Sequence, residues 1–552
     1  MTKYEAEDLQ ANSYRSKAYH SVQNAREWLR NTRKLPWIIL VVAAINVIFI
    51  GGKRRAFGTF ISQLHTDFNE TSMTELNWIG DSYAALGFFL MPFCTSFLLQ
   101  LNRPYRMAML AAGILIFISC VTSAMVPTPS YLFLTHTLIH GIGSTLILCT
   151  TALITGQYFD KTHRFHVLAT AFVSGGPYGI LIFGPLFSSW IQNYGWRLAF
   201  DFCGVMFLLA CLLAAVVFLP YQAPQYDMVI GENIPDPSEV HISDVVRANP
   251  SPPKLETGDG QDKKNGLKKL KPGNKNVPLY LQKLIKEPQN EKWAFCNMEH
   301  LMENKQIFLW AAERLLHNFV MYGLMMNLVT YAREHLNNQI MQAARISVFF
   351  GIGESAIFTF GALVGDKIRG YLPLTYLVGA CFAALFLLII QQTYTDITVL
   401  SVLSGFVGAS IGVGNTFLYA ASEEIMLIHG SVSFPVTKMI AGVGMILSPL
   451  LSGTIIDLFA FRGFFISMAI LVCIRVVLLI GINILLWRKK LMVLAQISMN
   501  HEDIEDLNHC CEMTGRPCGQ EQAQAKNNTE QYYENYNQQP YDQNAIWDNN
   551  AR

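Results

Sequence analysis

About a dozen apolar stretches of membrane-crossing length, in two groups of six with one long polar insert between them, leave this chain few folds to choose from. A helix needs roughly 20 predominantly apolar residues to cross a hydrocarbon core about 30 Å thick, where no water is at hand to satisfy a bare backbone. Six stretches meet that length ahead of Pro220: Pro36 to Leu64, Trp78 to Leu101, Met107 to Val126, Ser130 to Tyr158, Phe165 to Ile191 and Trp196 to Leu219. Six more follow Lys305: Ile307 to Ala332, Ile346 to Val364, Tyr371 to Ile390, Ile397 to Ser422, Val432 to Ala460 and Phe464 to Trp487. The layout predicts an all-α membrane protein with two six-helix bundles, residues 36–219 and 307–487. A polar leader (1–35), a linker (220–306) and a tail (488–552) flank and join them.

Composition narrows the function classes. With 51% hydrophobic and only 15% charged residues, the chain is too apolar for an ordinary soluble enzyme. Its net charge of +1, with no basic stripe interleaved with aromatics outside the apolar stretches, gives no footing for a nucleic-acid partner. The linker mixes Pro, Gly, Asp, Asn and Lys and reads as solvated and mostly disordered. Its stretch Val277 to Lys286 is amphipathic and suits a membrane lipid surface. The Gln-, Asn- and Tyr-rich tail reads as disordered; Cys510 and Cys511 in it are expected as free thiols, acylation being the rarer alternative. Of 11 cysteines, Cys94, Cys120, Cys149, Cys203, Cys211, Cys381 and Cys473 fall in apolar stretches, where thiols act as small packers. No disulfide framework, metal site or cofactor is expected, and no Walker-type loop supports ATP-driven pumping.

Lys and Arg stay on the cytoplasmic side of a membrane protein. Arg26, Arg30, Arg33 and Lys34 precede the first stretch, Lys263, Lys264, Lys268, Lys269, Lys271 and Lys275 mark the linker, and Arg488, Lys489 and Lys490 follow the last stretch. All three groups share one side if each bundle has an even number of spans, which predicts cytoplasmic N- and C-termini. The first loop then faces out with Asn69-Glu70-Thr71, a glycosylation acceptor pattern. Roughly 35 mostly polar residues precede the first stretch, so the first span is expected to serve as its own targeting signal.

Ionisable residues inside the stretches are the candidate chemistry, because each cation near a bilayer centre costs roughly 2.5 to 3.5 kcal/mol on insertion scales. Lys53, Arg54 and Arg55 are the sharpest case. The residues alone leave two readings open. The cluster faces a water-filled or anion-filled cavity, or the span ends at Ile50 and the cluster snorkels beside a short loop from Ala56 to Leu64. Glu354, midway along the eighth stretch, reads as a protonatable coupling group or a cation partner. Arg314 is a further substrate-binding candidate, with an interfacial anchor as its alternative. It follows Glu313, and adjacent helical residues point in different directions, so no pairing between them is required. His140 is a second coupling candidate; for it, as for His136, His317 and Asn318, satisfaction by a neighbouring carbonyl is the commoner role. Arg475, in the last stretch, reads as a structural partner.

Several local motifs in order resemble the monocarboxylate transporter family of the major facilitator superfamily. They are Arg55-Ala56-Phe57-Gly58-Thr59-Phe60 with Gln63-Leu64, Asn77-Trp78-Ile79, Tyr158-Phe159-x-Lys161 through Val173-Ser174-Gly175, Tyr194-Gly195-Trp196-Arg197, and Ser448-Pro449-Leu450 through Asp457. The resemblance implies the major facilitator fold, with twelve transmembrane helices and the solute site near the midplane between the bundles. It places Arg55 where the family carries its substrate-carboxylate lysine. Arginine there keeps the charge and offers a bidentate fork but cannot release a proton. The family's proton-coupled members carry an Asp and, four residues on, an Arg in the eighth span; here Gly353 and Ile357 stand there, with Glu354 one step away. The expectation is therefore a secondary transporter for a small monocarboxylate, related organic anion or amino-acid-like solute, facilitative rather than proton-coupled. Residence in the plasma membrane and a single-span glycoprotein ancillary subunit are further implications of the resemblance. A transporter-like sensor or scaffold that binds solute without flux is the alternative. An enzyme is least favoured, for want of paired carboxylates, histidine clusters or a nucleophile motif.

Overall fold

The computed structural model describes residues 34–219, 285 and 304–514, apart from 69, 70, 72, 162, 175, 335–339, 394 and 395. Asn69, the leader before residue 34, most of the linker and the tail beyond residue 514 lie outside the described residues, as do the side chains of Cys510 and Cys511.

Among the described residues ten helices are long and apolar enough to cross a membrane, and a pair bent by 41°, Trp78–Phe89 with Met91–Gln100, makes an eleventh. Pro92 stands at the start of the second member of that pair, where a missing N–H and a ring clash break the hydrogen-bond ladder. The helix Gln306–Glu334 has the length of a span but carries Glu313 and Arg314 in its first turns. Counting it as the seventh, the spans run in the order expected from the sequence. The first is Leu35–His65, the third Tyr105–Ala124, the fourth Pro129–Tyr158, the fifth His166–Phe187 and the sixth Ser189–Val217. The eighth is Arg345–Val364, the ninth Leu372–Gln392, the tenth Ile397–Thr416, the eleventh Gly430–Ile456 and the twelfth begins at Leu458. From Asn483 the chain forms a unit of its own, helical as far as Thr514.

The first span does not end at Ile50. Its helix runs Leu35–Ala56, turns slightly at Phe57 and continues as Gly58–Asp67, so Lys53, Arg54 and Arg55 sit inside the span. Gly195, at φ 81 and ψ 162, kinks the helix near the start of the sixth span, a backbone state open to glycine at little cost. The fourth span opens with a π-helical stretch, Phe133–His140, which turns His136 and His140 into the bundle.

Two backbone crossings frame the middle of the molecule. A Cβ on Gly179 would overlap Gly52 Cα, so the first and fifth spans touch backbone to backbone. A Cβ on Gly353 would overlap Gly405 O, and one on Gly412 would meet Glu354 Cα at 3.1 Å, so the eighth and tenth spans cross equally closely. Small residues permit such approaches in lipid, where packing rather than the hydrophobic effect drives helix association. Each crossing lies beside one of the charged residues flagged in the sequence, and it is this that fixes the ions in place.

Candidate functional site

Successive helical residues are rotated by 100°, so the three cations of the first span cannot share one direction. Arg55 points to the other half of the molecule. Its Nη2 donates to Glu354 Oε1 at 2.5 Å and its Nε to Oε2 at 3.1 Å, and both side chains are only 2% exposed. Asn415 Nδ2, from the tenth span, donates to the same Oε1 at 3.0 Å. The guanidinium fork therefore grips a carboxylate bidentately across the two halves.

Arg54 also faces the space between the halves but meets no anion. Its guanidinium lies 5.3 Å from the Phe88 ring centroid and 5.5 Å from that of Tyr322. Its Nε is buried without a hydrogen-bond partner. Lys438 of the eleventh span approaches the same Phe88 ring at 4.5 Å, lies 5.4 Å from Phe434 and donates to Ser174 O of the fifth span at 2.9 Å. Arg54, Arg55, Lys438, Asn318, Met321 and Asn415 are among the residues lining a cavity of about 10 Å³, roughly the room one water needs. The halves are thus closed on the cavity, and a solute needs them to part.

The remaining candidates lie inside their own bundles. Lys53, turned 200° from Arg55, is fully buried in the first half with Nζ 3.2 Å from the His140 ring nitrogens and 4.0 Å from Cys120 Sγ. His136 stacks on Phe57 at 4.7 Å. Arg314 is buried in the second half, where it takes Glu313 bidentately at 2.5 and 2.9 Å, donates to Gly414 O at 3.1 Å and lies 4.4 Å from the Trp310 ring. The adjacent pair does meet, although the sequence did not require it. Arg475 donates to Glu313 Oε1 at 2.8 Å and approaches His317 Nδ1 at 2.6 Å. The structure thus brings Arg54, Arg55 and Glu354 together and keeps Lys53, His140 and Arg314 apart from them.

Lys438 and Asn415 did not emerge from sequence reasoning. A lone lysine in the apolar eleventh stretch was a visible signal for the first; the second, an amide among glycines, carried none.

A polar seam closes the face of the 4–5, 8–9 and 10–11 connections, where Leu219 leads into the linker. Val167 N and Leu168 N donate to the Asp366 carboxylate at 2.8 and 3.2 Å, and Arg369 Nη1 donates to Lys161 O. His166 Nε2 lies 3.1 Å from Glu423 Oε2, which Arg369 Nη2 approaches at 3.4 Å. Burial pushes the Glu423 pKa up, but His166 and Arg369 outweigh it and hold the carboxyl at about 2. Its neighbour Glu424 keeps the burial effect and is pushed up to about 7, though it accepts from Gly370 N at 2.8 Å. Nearer the middle, Tyr178 Oη and Thr359 Oγ1 join the halves at 2.6 Å.

The described residues hold no group of three His, Cys, Asp or Glu side chains placed to bind a metal ion. The chain is 23% identical to monocarboxylate transporter 9 of Rattus norvegicus over 449 residues, 76% of this chain and 87% of that one. It is 26% identical to monocarboxylate transporter 6 of Homo sapiens over 182 residues, 33% of this chain and 35% of the relative. These relatives bear the names of carriers, not of enzymes. In fold it is similar to the crystal structure of the human organic anion transporter MFSD10 (TETRAN), with a TM-score of 0.53 at 13% identity, covering 81% of this chain and 99% of that one. A sequence profile described as Major Facilitator Superfamily matches residues 43–426, most of the two bundles, and with the twelve-helix fold it places the chain: this is a membrane transporter of the Major Facilitator Superfamily.

Proposed function

We propose that the chain is a carrier for a small organic anion, a monocarboxylate or a related solute, working by alternating access. The observation that carries this reading is a guanidinium buried between the halves, Arg55, held by a single carboxylate, Glu354, on the opposite half. An ion pair so placed is a latch through the solute path. A solute carboxylate that reaches Arg55 takes the place of Glu354, and the Coulomb and hydrogen-bond energy that held the halves is transferred to the solute. Glu354 keeps Asn415 as its hydrogen-bond partner in that state. The relatives named monocarboxylate transporters support the carboxylate as the recognised group.

The seam on the linker face corresponds to a closed gate, and opening it needs the His166–Glu423, Asp366 and Arg369 contacts to break. The lysines and arginines of the leader, linker and tail assign that face to the cytoplasm. On this reading the closed face is the cytoplasmic one, and the carrier works in the plasma membrane with a single-span glycoprotein as a candidate partner.

The test is uptake of radiolabelled carboxylates into proteoliposomes, with and without a pH gradient. Wild type is expected to equilibrate at least one carboxylate, Arg55→Ala to lose that flux, and the pH arm to report whether the flux is coupled to protons. Solute binding without flux selects the sensor or scaffold instead, and no binding and no flux across a broad carboxylate panel overturns the anion reading altogether.

A further inference from the structure

We infer that the solute carries two negative charges, the second received by a subsite made of Arg54 and Lys438. The inference rests on the anion-carrier reading and deepens it. Three cations surround the central cavity, and one carboxylate answers them. Glu354 is committed to Arg55 by two hydrogen bonds. Among the described residues Arg54 forms no ion pair or hydrogen bond at all, and Lys438 has only one hydrogen-bond partner, the carbonyl of Ser174.

Nor do the deeper ions redress the balance. Glu313 is taken up by Arg314 and Arg475, and Lys53 meets a histidine ring and a thiol. Buried cations in a membrane protein are expensive unless paired. Here the half-buried Arg54 rests on aromatic faces and the buried Lys438 on aromatic faces and the Ser174 carbonyl, both beside the Phe88 ring, an arrangement that steadies a cation while leaving donors free for a ligand. Arg54 presents an unused Nε, and an ammonium with one carbonyl partner has two donors left.

The two subsites also differ in what they ask of the ligand. The Arg55 subsite opens only by exchange, one carboxylate for another, so a monoanion there leaves Arg54 and Lys438 as they stand. A second carboxylate on the same solute neutralises them with no competitor to displace. Their origin on opposite halves, Arg54 on the first span and Lys438 on the eleventh, means that the second charge also draws the halves together around the bound molecule. The site therefore selects an organic dianion with its charged groups a few carbons apart over a monoanion of the same skeleton.

The probes are succinate, glutarate and adipate, each against its monomethyl ester, in proteoliposomes containing the full-length wild type. At least one dicarboxylate is expected to move with a kcat/KM at least about tenfold above its monoester, the discrimination one charge-assisted contact provides. Arg54→Gln and Lys438→Gln are expected to erase that preference by raising the KM of the dicarboxylate more than that of its monoester, while Lys438→Arg retains it. Monoesters moving as well as or better than every dicarboxylate overturn this inference and leave the anion carrier standing. Monoester flux that requires chloride also overturns it, since a separate inorganic ion would then fill the subsite. If neither class binds or moves, the anion-carrier reading fails first. The wild-type comparison decides the matter even where a variant does not fold.

Discussion

Replacing Arg55 or Glu354 singly is expected to cost more than replacing both. Each side chain is 2% exposed, and the two share a bidentate contact at 2.5 and 3.1 Å. Breaking a buried pair by removing one partner typically costs about 3 to 5 kcal/mol, because the survivor is left charged in a medium that cannot solvate it. The two survivors are not equal here. In Arg55→Met, Glu354 keeps the amide of Asn415 at 3.0 Å, which offsets about 1 kcal/mol, so the expected loss is about 2 to 4 kcal/mol. In Glu354→Met, Arg55 retains only Gly51 O at 3.4 Å, and the full loss of about 3 to 5 kcal/mol is expected. In the double variant no unpaired ion remains, and two methionines of similar volume replace the pair. It should lie within about 2 kcal/mol of wild type, giving a coupling energy of about 3 kcal/mol or more. Equilibrium unfolding of the purified proteins in mixed micelles measures all four corners. If the two single losses add up in the double variant within about 0.5 kcal/mol, the residues do not act as a pair and the latch is wrong.

Other outcomes follow from the same packing. Gly353→Ala places a methyl against Gly405 O, a backbone atom that cannot swing aside, and is expected to cost about 1 to 3 kcal/mol in the same unfolding assay. Gly184→Ala, whose Cβ meets nothing within 4 Å, serves as the matched control and is expected to be neutral or mildly stabilising. Glu424 has its pKa raised to about 7 by burial, against about 4.3 in the unfolded chain, so the folded protein binds the extra proton between those values. Its contribution therefore falls as pH rises through that window and stays low above it. Glu424→Gln should match wild type near pH 4, gain on it progressively up to pH 7 and hold a constant advantage beyond; a stability difference independent of pH refutes the assignment. Glu423, held at about 2, should leave no such signature above pH 5.

What the sequence could and could not reveal follows from the range of each interaction. Span length and apolarity are local properties, and the order of the helices could be read from them. Gln306–Glu334, a span diluted by charge, is the one that carries an ion pair on adjacent residues. The midspan position of Lys53, Arg54 and Arg55 needed more than hydropathy. Three cations end an apolar window whether the helix stops or passes through, and only the continuation from Gly58 to Asp67 separates the two cases. Partnership is a different matter. Arg55 and Glu354 stand 299 residues apart, and the 100° step between neighbouring residues decides which of three adjacent cations reaches across and which turns inward. A sequence shows that a buried charge needs an answer but not where the answer comes from. Arg54 is the instructive exception, since it remains unanswered after the chain has folded. With Lys438 beside the same Phe88 ring, the need that the sequence could only announce is left for a solute to meet.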